Sequence, residues 1–417
     1  MTSLLASLRE RGFIQAVTDE AGLDRLLAAG HATAYVGFDP TASSLHAGNL
    51  VQIMAMMHLE RAGHRPIAII GGGTGRVGDP SGKQEMRQLL GGDEIQGNLD
   101  AFRRQLGRFI DFSPGKALLI DNAEWLLSLK YIDFLRDIGR HFSVNRMLAA
   151  ECFKSRMESE AGLSFLEFNY MLLQAYDFLE LFRRHGCRLQ FGGSDQWGNI
   201  VAGIDLIRRV EGPEAAAYGF TIPLVMTAAG QKMGKTAEGA VWLDAERTSP
   251  YDFYQYWINT TDPDVGRFLR LYTFLPIEEI VALESLQGAD IRRAKETLAI
   301  EVTRIVHGEE ESRRARDAAR ANFGGAPPDS AGGSDAVPTR KIAESELTPG
   351  VLAVNVFAEC GLAASRAEAR RLARQGGLYV NGEAVAEERK LTREDVKNGT
   401  IQLRSGKKRH LRLLVIP

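Results

Sequence analysis

In the first thirty positions apolar residues recur at helical intervals, Leu4, Leu5 and Leu8, then Leu23, Leu26 and Leu27, which predicts helices. Ala32 to Phe38 is the first strand-like run. After the turn Asp39-Pro40-Thr41, the stretch Ala47 to Arg61 puts Leu50, Met54, Met57 and His58 on one helical face. Pro66 to Ile70 is a continuous apolar run of the kind buried on both faces of a parallel sheet. Ala117 to Ile120 predicts a further strand and helical sequence then runs to about Arg184, before two short strands at Cys187 to Phe191 and Thr221 to Thr227. Strand, helix, strand in this order predicts an α/β domain over residues 1–230. From Ser249 to Arg320 the pattern is helical only, with Tyr251, Tyr254, Trp257 and Ile258 at helical spacing, so residues 231–320 are expected to form an all-α domain. Asn322 to Pro338 is rich in glycine and proline with almost nothing apolar, so 321–349 is expected to be a flexible linker before a last domain at 350–417.

The chain has 417 residues, enough for two or three domains, and a formal net charge of -2. The sign is unevenly spread: Gly361 to Pro417 carries 13 basic and 6 acidic side chains, against 38 and 47 in the rest. A basic tail on an acidic body points to a nucleic-acid module. The three cysteines, Cys152, Cys187 and Cys360, are too scattered for a disulfide framework or a zinc site, so no zinc and a reducing compartment are expected. Arg9, Glu10 and Arg11 interrupt any secretory segment, and no apolar run is long enough to span a membrane, so the expectation is a cytoplasmic protein with no membrane partner.

Gly73-Thr74-Gly75-Arg76-Val77-Gly78 matches the dinucleotide fingerprint, but the following helix, strand and acidic residue are missing from Lys83 to Leu106. A phosphate loop is excluded as well, because Val77 stands five positions before Gly82 where glycine is required. What survives is that this backbone passes close to something. Two other segments are better placed for phosphate. Ser44-Leu45-His46-Ala47-Gly48-Asn49 sits where a strand gives way to a helix, so free helix N–H groups, an imidazole and a carboxamide could meet polyphosphate oxygens. Lys232-Met233-Gly234-Lys235-Thr236 follows a predicted strand and presents two ammonium groups. Each alone is more often a helix cap or a solvated loop.

Together and in this order, the two segments resemble the HIGH and KMSKS signatures of class I aminoacyl-tRNA synthetases. Tyr35-Val36-Gly37-Phe38-Asp39-Pro40-Thr41, Gly78-Asp79-Pro80-Ser81-Gly82-Lys83, Tyr170 to Asp177 and Phe191 to Asn199 are similar to runs of the bacterial tyrosyl-tRNA synthetase family, over essentially the whole chain except the linker. Asn49 stands where that family usually has a second histidine and Gly234 where it usually has serine; Asn49 can still donate, and Gly234 is expected to make its loop more mobile. The resemblance implies a Rossmann-like parallel-sheet catalytic domain, an α-helical anticodon-side domain, a small α+β S-four-like RNA-binding domain, and a homodimer formed through about 118–182. It implies activation of L-tyrosine by ATP, with Mg2+ accompanying the ATP, and transfer of tyrosine to the 3′ end of tRNA(Tyr). A tryptophan-activating relative, a small-molecule nucleotidyltransferase and a non-catalytic RNA-binding paralogue are the competing readings.

Residue by residue, the resemblance implies that Tyr35 and Asp177 meet the substrate phenol, that Asp79, Tyr170 and Gln174 hold its ammonium, and that Gln196 lies near its carboxylate. Tyr170, Gln174 and Asp177 are spaced so that one helix face can present all three. Gly37, Asp39, Gly48, Gly193 and Asp195 would serve the nucleotide, Asp195 by accepting from ribose hydroxyls. His46, Asn49 and Thr41, with Lys232, Lys235, Thr236, Lys83 and Arg87, would stabilise charge growing on pyrophosphate. In the tail, Ser365 to Glu368 reads as a capping box for a helix ending near Gly376, which would align Arg366, Arg370 and Arg374 as a basic stripe. The hairpin signal Asn381-Gly382 follows, and Arg404, Lys407, Lys408, Arg409 and Arg412 lie near the last strand, as RNA phosphate contacts.

Overall fold

The computed structural model describes residues 3–416 other than 82–90, 159–161, 229, 231, 237–238, 324–338 and 407–408, and of residues 152, 155, 235, 236, 322 and 323 the backbone alone. The chain divides into two compact units, one of residues 1–247 and 260–294, the other of 248–259 and 295–417.

The first unit is built on a six-stranded sheet of β1 (Ala16–Val17), β2 (Thr33–Phe38), β3 (Arg65–Ile70), β4 (Leu118–Asp121), β5 (Cys187–Gly193) and β6 (Tyr218–Ile222). Their order is β1-β6-β5-β2-β3-β4, all parallel except the edge pair of β1 with β6. The chain steps outward from β2 through β3 to β4, then returns to the other side of β2 for β5 and β6, so the order reverses between β2 and β5. At such a reversal the loops at the carboxyl ends of two neighbouring strands lead away in opposite directions and leave a crevice. The strand expected at Thr221 to Thr227 is β6, which begins three residues earlier and ends at Ile222. Arg65–Ile70 is almost wholly buried, as its unbroken apolar run requires.

The helices of this unit that matter for the site are α1 (Leu4–Glu10), α2 (Glu20–Ala28), α3 (Ala47–Arg61), α4 (Gly92–Leu106), the short α5 (Ala123–Leu126), α6 (Tyr131–Asp137), α7 (Val144–Leu148) and α8 (Glu151–Met157), then α9 (Phe165–His185) and α10 (Trp197–Glu211). The longest, α9, opens with a capping box in which Ser164 Oγ accepts from the Glu167 N–H and Glu167 Oε2 accepts from Ser164. It closes on Gly186, whose left-handed φ of 61° suits a residue without Cβ. Glu167 has a second task, because its carboxylate pairs with the fully buried Arg156 guanidinium of α8 at 2.8 Å.

The helices after Ser249, expected as one domain, are divided. In the second unit, α11 (Pro250–Ile258) packs on the later helix α15, burying Phe253, Tyr254 and Trp257. By contrast α12 (Asp262–Tyr272) and α13 (Ile277–Glu284) lie in the first unit, where α12 packs on α3 and Arg11 donates to the carbonyls of Thr273 and Leu275. The amphipathic pattern predicts that each helix buries a face, and says nothing about which neighbour it meets. The second unit continues with α14 (Ile291–His307) and α15 (Glu309–Phe323).

Its carboxyl-terminal part is α+β. Beyond the small hairpin β7 (Lys235–Thr236) and β8 (Gly239–Ala240) of the first unit, the strands are β9 (Thr339–Ala343), β10 (Val351–Leu352), β11 (Leu378–Val380), β12 (Glu383–Ala384), β13 (Lys390–Leu391), β14 (Thr400–Ser405) and β15 (Arg409–Ile416). Five of them form a sheet in the order β12-β11-β14-β15-β9, covered by α17 (Ala353–Glu359) and α18 (Arg366–Arg374) beyond the single-turn α16 (Glu344–Leu347). The expected linker therefore ends early: from Thr339 the chain is already an edge strand, parallel to β15. In α18, Ser365 Oγ accepts from the Glu368 N–H, and Gly376 closes the helix at φ 65°. Asn381 and Gly382 join β11 to β12 with φ of 49° and 87°, the two positive angles of a tight hairpin turn.

Because Glu167 answers both a helix end and a buried cation, Glu167→Ala should destabilise α9 by about 3–5 kcal/mol, whereas Ser164→Ala should cost about 1 kcal/mol. Hydrogen exchange of the α9 amides in the two variants measures the difference.

Candidate active site

A cavity of about 650 Å³ opens at the reversal point between β2 and β5. Its walls hold residues from both strand ends, from α3, α4 and α9, and from the segment after β6. Of the expected residues with described side chains, Tyr35, Asp39, Thr41, His46, Asn49, Asp79, Tyr170, Gln174, Asp177, Asp195, Gln196 and Lys232 all line it, together with Gly37, Gly48 and Gly193. Lys83 and Arg87 lie outside the described residues, as do the side chains of Lys235 and Thr236.

At one end is Asp177, buried on α9. Trp125 Nε1 donates to its Oδ1 at 2.7 Å and Asn122 Nδ2 to its Oδ2 at 2.9 Å. Burial pushes its pKa up to about 8, against the downward pull of those two donors. Next to it is the Tyr35 hydroxyl, buried and making no hydrogen bond among the described residues. Burial first, and then the nearby carboxylate of Asp177, hold the Tyr35 phenol well above its ordinary range, so it is a neutral O–H. Tyr35 and Asp177 are not bonded to each other; Asp177 is held by its own donors, and Tyr35 is fixed by the edge of Phe178 at 5.2 Å.

From Asp177 a chain of hydrogen bonds crosses the pocket floor. Asn122 Nδ2 also donates to Thr74 Oγ1 at 3.0 Å, Thr74 Oγ1 donates to Asp39 Oδ1 at 3.1 Å, and Tyr170 OH donates to Asp39 Oδ2 at 3.1 Å. A second cluster faces it: Gln196 Nε2 donates to Asp79 Oδ2 at 2.7 Å, and Asn199 Nδ2 donates to Gln174 Oε1 at 3.0 Å. The groups expected around an ammonium are thus each occupied by another partner here, Asp79 by Gln196, Tyr170 by Asp39 and Gln174 by Asn199. Tyr170, Gln174 and Asp177 do share one face of α9, as their spacing predicts. The glycine run after β3 is explained too. A Cβ at Gly71 would sit 2.3 Å from Asp39 Oδ1 and one at Gly73 2.9 Å from Leu126, so this backbone passes close to the pocket floor.

At the other end, His46 caps α3. Its Nδ1 accepts from the Gly48 N–H at 3.0 Å, and Asn49 Oδ1 accepts from the His46 N–H at 3.1 Å. An Nδ1 that accepts carries no hydrogen, so the network assigns the ring hydrogen to Nε2. The free helix N–H groups expected here are already taken, because Ala47 N donates to Val241 O at 2.8 Å and Asn49 N to His46 O at 2.8 Å. What takes the first of them is the stretch that follows the second signature segment. Leu243 N donates to Leu45 O at 2.9 Å, His46 and Trp242 form a β-bridge, and Val241 N donates to Gly234 O at 2.9 Å. Gly234 itself has φ 78°, and a Cβ there would meet Gly48 N at 2.5 Å. Its glycine, expected to loosen the loop, permits a close backbone seat on α3.

Sequence reasoning missed Asn122, Trp125, Thr74, Asn199 and Trp242. The two that hold Asp177 follow directly on β4, a strand end, which was the one available signal. Trp242 packs its edge against His46 and carries the Arg247 guanidinium 3.5 Å from its ring centroid, pairings no spacing rule anticipates. In the second unit, the basic stripe lies on α18 as expected, but every member has an acidic neighbour: Arg366 pairs with Glu359 at 2.8 Å, and Arg370 and Arg374 both reach Glu387. Such exposed pairs are weak. Lys407 and Lys408 lie outside the described residues.

Because folding raises the pKa of Asp177 to about 8, the folded state holds a proton that the unfolded chain has lost, so stability from this group is full below about pH 4 and is lost as pH climbs to about 8. Asp177→Asn should therefore gain stability relative to the unaltered chain across that window and no further above it, as read by urea unfolding at a series of pH values.

Comparison with known proteins agrees with this geometry. The family tRNA synthetases class I (W and Y) matches residues 28–324, and the S4 domain matches 354–397. A tyrosine–tRNA ligase from Desulfosudis oleivorans is 55% identical over 99% of both chains, and one from Clostridium botulinum (strain Loch Maree / Type A3) is 52% identical over 100% of both. Among solved structures, a C-terminally truncated Aspergillus nidulans mitochondrial tyrosyl-tRNA synthetase superposes with a TM-score of 0.69 at 31% identity, covering 78% of this chain and 95% of that one. With full-length identity above half, and a cavity that joins a fixed carboxylate and buried phenol to the two signature segments, the chain belongs to the tyrosyl-tRNA synthetase family of class I tRNA synthetases.

Proposed function

We infer that this chain activates L-tyrosine with ATP and charges tRNA with the product. The observation that carries the reading is the closed end of the cavity, where a Tyr35 hydroxyl with no partner among the described residues faces a carboxyl group already fixed by Trp125 and Asn122. A tyrosine phenol there would donate to Asp177 and accept from Tyr35. Phenylalanine would leave both unpaired, and tyrosyl-tRNA synthetases are themselves the standing example of that rule. A bulkier indole offers an N–H donor and no acceptor, so Tyr35 would stay unsatisfied with tryptophan.

The remaining assignments follow the length of the cavity. Asp79, Tyr170 and Gln174 take the substrate ammonium, which replaces the contacts they make with Gln196, Asp39 and Asn199. Gln196, released from Asp79, turns to the carboxylate. Asp195 accepts from ribose hydroxyls while Gly37, Gly193 and Gly48 give the nucleotide room, and Asp39 borders both substrates. The tyrosine carboxylate, already ionised, attacks the α-phosphorus; the bond to the bridging oxygen breaks and pyrophosphate leaves with the electron pair. No protein base is needed, so the chain contributes position and positive potential. His46 donates from Nε2 to a phosphate oxygen, with Thr41, Asn49, Lys232, Lys235, Thr236, Lys83 and Arg87 as further donors. Magnesium travels on the ATP phosphates, which is where such an ion is ordinarily held. In the second step a terminal ribose hydroxyl of tRNA attacks the tyrosyl carbonyl and AMP leaves.

The carboxyl-terminal S4 domain is assigned to the tRNA, through Arg366, Arg370 and Arg374, with Lys407 and Lys408 as further cations. A homodimer is supported by exposed apolar side chains: of twelve large ones among the described residues, eight fall between Leu127 and Leu166, Ile132 at 72% and Phe165 at 70% exposure being the extremes. No helix among the described residues is long and apolar enough to cross a membrane. The cytoplasm is the compartment proposed.

ATP–pyrophosphate exchange assayed separately with tyrosine, tryptophan and phenylalanine should depend on tyrosine alone; dependence on tryptophan, or none, overturns the assignment. Tyr35→Phe and Asp177→Asn should each reduce discrimination against phenylalanine by about 1–3 kcal/mol, and unchanged discrimination would refute the pocket. His46→Ala should lower kcat by about 10²–10³-fold. Raising salt should weaken tRNA charging through KM for tRNA while leaving exchange largely untouched.

A further inference from the structure

Two carboxamides on one face of α4 reach into the loop between β2 and α3. Asn98 Nδ2 donates to the Pro40 carbonyl at 2.9 Å. Seven residues on, two helical turns along the same face, Gln105 Oε1 accepts from the Leu45 N–H at 2.9 Å and lies 3.2 Å from the Ser44 hydroxyl. Between them Phe102 lines the cavity itself. The rest of this face is apolar, with Ile95, Leu99 and Leu106 buried. Asn98 and Gln105 are buried as deeply, at 5% and 4% exposure. A carboxamide in such surroundings is unfavourable unless it is hydrogen-bonded, and both spend their bonds on the loop backbone.

The choice of anchored atoms is specific. Pro40 immediately precedes Thr41, and Leu45 immediately precedes His46, so each residue assigned to the phosphates has its neighbour's peptide group tied to α4. The loop between the two anchors has other bonds, Thr41 N to Asp39 O at 2.8 Å, Arg247 Nη1 to Ser43 Oγ at 3.2 Å, Ser44 Oγ to Leu45 O at 2.7 Å and Leu243 N to Leu45 O, but the Pro40 carbonyl and the Leu45 N–H are bonded by Asn98 and Gln105. We propose that Asn98 and Gln105 are positioning residues for ATP activation, holding Thr41 and His46 at the spacing that the polyphosphate requires, without touching either substrate. The inference rests on the assignment of Thr41 and His46 to the phosphates. It predicts a burden confined to the nucleotide end, since the tyrosine end is held by α5 and α9.

The two carboxamides act in opposite senses, which gives a sharp test. Gln105 serves as an acceptor, so Gln105→Glu keeps the bond to Leu45 N and Gln105→Met loses it. Asn98 serves as a donor, so Asn98→Asp turns an oxygen toward the Pro40 carbonyl and should behave like Asn98→Leu. In pyrophosphate exchange with the full chain, Gln105→Met and Asn98→Asp should lower kcat about 10- to 100-fold, with tyrosine affinity in an equilibrium titration unchanged, and Gln105→Glu should recover most of the rate. Wild-type kcat in Gln105→Met, a parallel fall in kcat and tyrosine affinity, or a Gln105→Glu as slow as Gln105→Met would each overturn the proposal. Should Gln105→Met not fold, the contrast between Gln105→Glu and Asn98→Asp decides it in the same terms. Loss of tyrosine-dependent exchange in the unaltered chain would overturn both this inference and the reading beneath it, whereas exchange there with unaffected variants would overturn the inference alone.

Discussion

A carboxyl group kept out of water is the constraint around which the first unit is organised. Asp177 on α9 is buried, and burial raises its pKa to about 8 although Trp125 and Asn122 donate to its two oxygens and offset part of the shift. Asn122 is itself fully buried and spreads the constraint onward, because its Oδ1 accepts from Gly73 N at 2.8 Å while its Nδ2 serves Thr74. Through Thr74 the chain reaches Asp39 and Tyr170. One continuous network therefore sets Asp177, the Asp39–Tyr170 pair and the glycine turn after β3 in register, and a change at any member is felt by the others.

The opposite end of the cavity, around His46, depends on backbone. Three first-turn amides of α3 are satisfied by the Val241 carbonyl, the His46 ring and the His46 carbonyl, and the segment that contributes Val241 also carries the lysines of the second signature. Two glycines make this possible: Gly48, where a Cβ would lie 2.8 Å from Met233 O, and Gly234, where one would lie 2.5 Å from Gly48 N. Backbone from about 190 residues further along the chain is thus seated on one helix terminus by main-chain contacts that any longer side chain would obstruct. For a phosphate to reach the Ala47 amide the segment has to yield it, whereas Gly48 N and Asn49 N are held by His46 itself.

Periodicity was enough for the elements that bury one face or two. The boundaries of α3 agree with the apolar pattern to the residue, β3 to within one, and the hairpin at Asn381-Gly382 adopts the positive angles that its residues favour. These are local matters, settled by spacing and by backbone preferences within a few residues. The edge strand β9 was hidden for the opposite reason. Thr339–Ala343 has only Ile342 buried, so its own pattern is that of a surface segment, and only its pairing with β15 makes it a strand. The division of the helices after Ser249 was hidden likewise, since an amphipathic face specifies burial without naming the partner.

Residue type and spacing by themselves were enough for the family, for the order of the signature segments and for a set of candidate site residues, because those are local properties of the chain. They also determined that Tyr170, Gln174 and Asp177 share a helix face. Tertiary structure alone decided which groups hold which. Trp125 and Asn122 meet Asp177 across more than fifty residues, Asn98 and Gln105 meet the Pro40 to Leu45 loop across about sixty, and His46 becomes an Nε2 donor because Gly48 occupies its other nitrogen. Buried polar groups must find partners wherever packing puts them, and that partner is chosen by the three-dimensional meeting of elements, which no interval along the chain encodes.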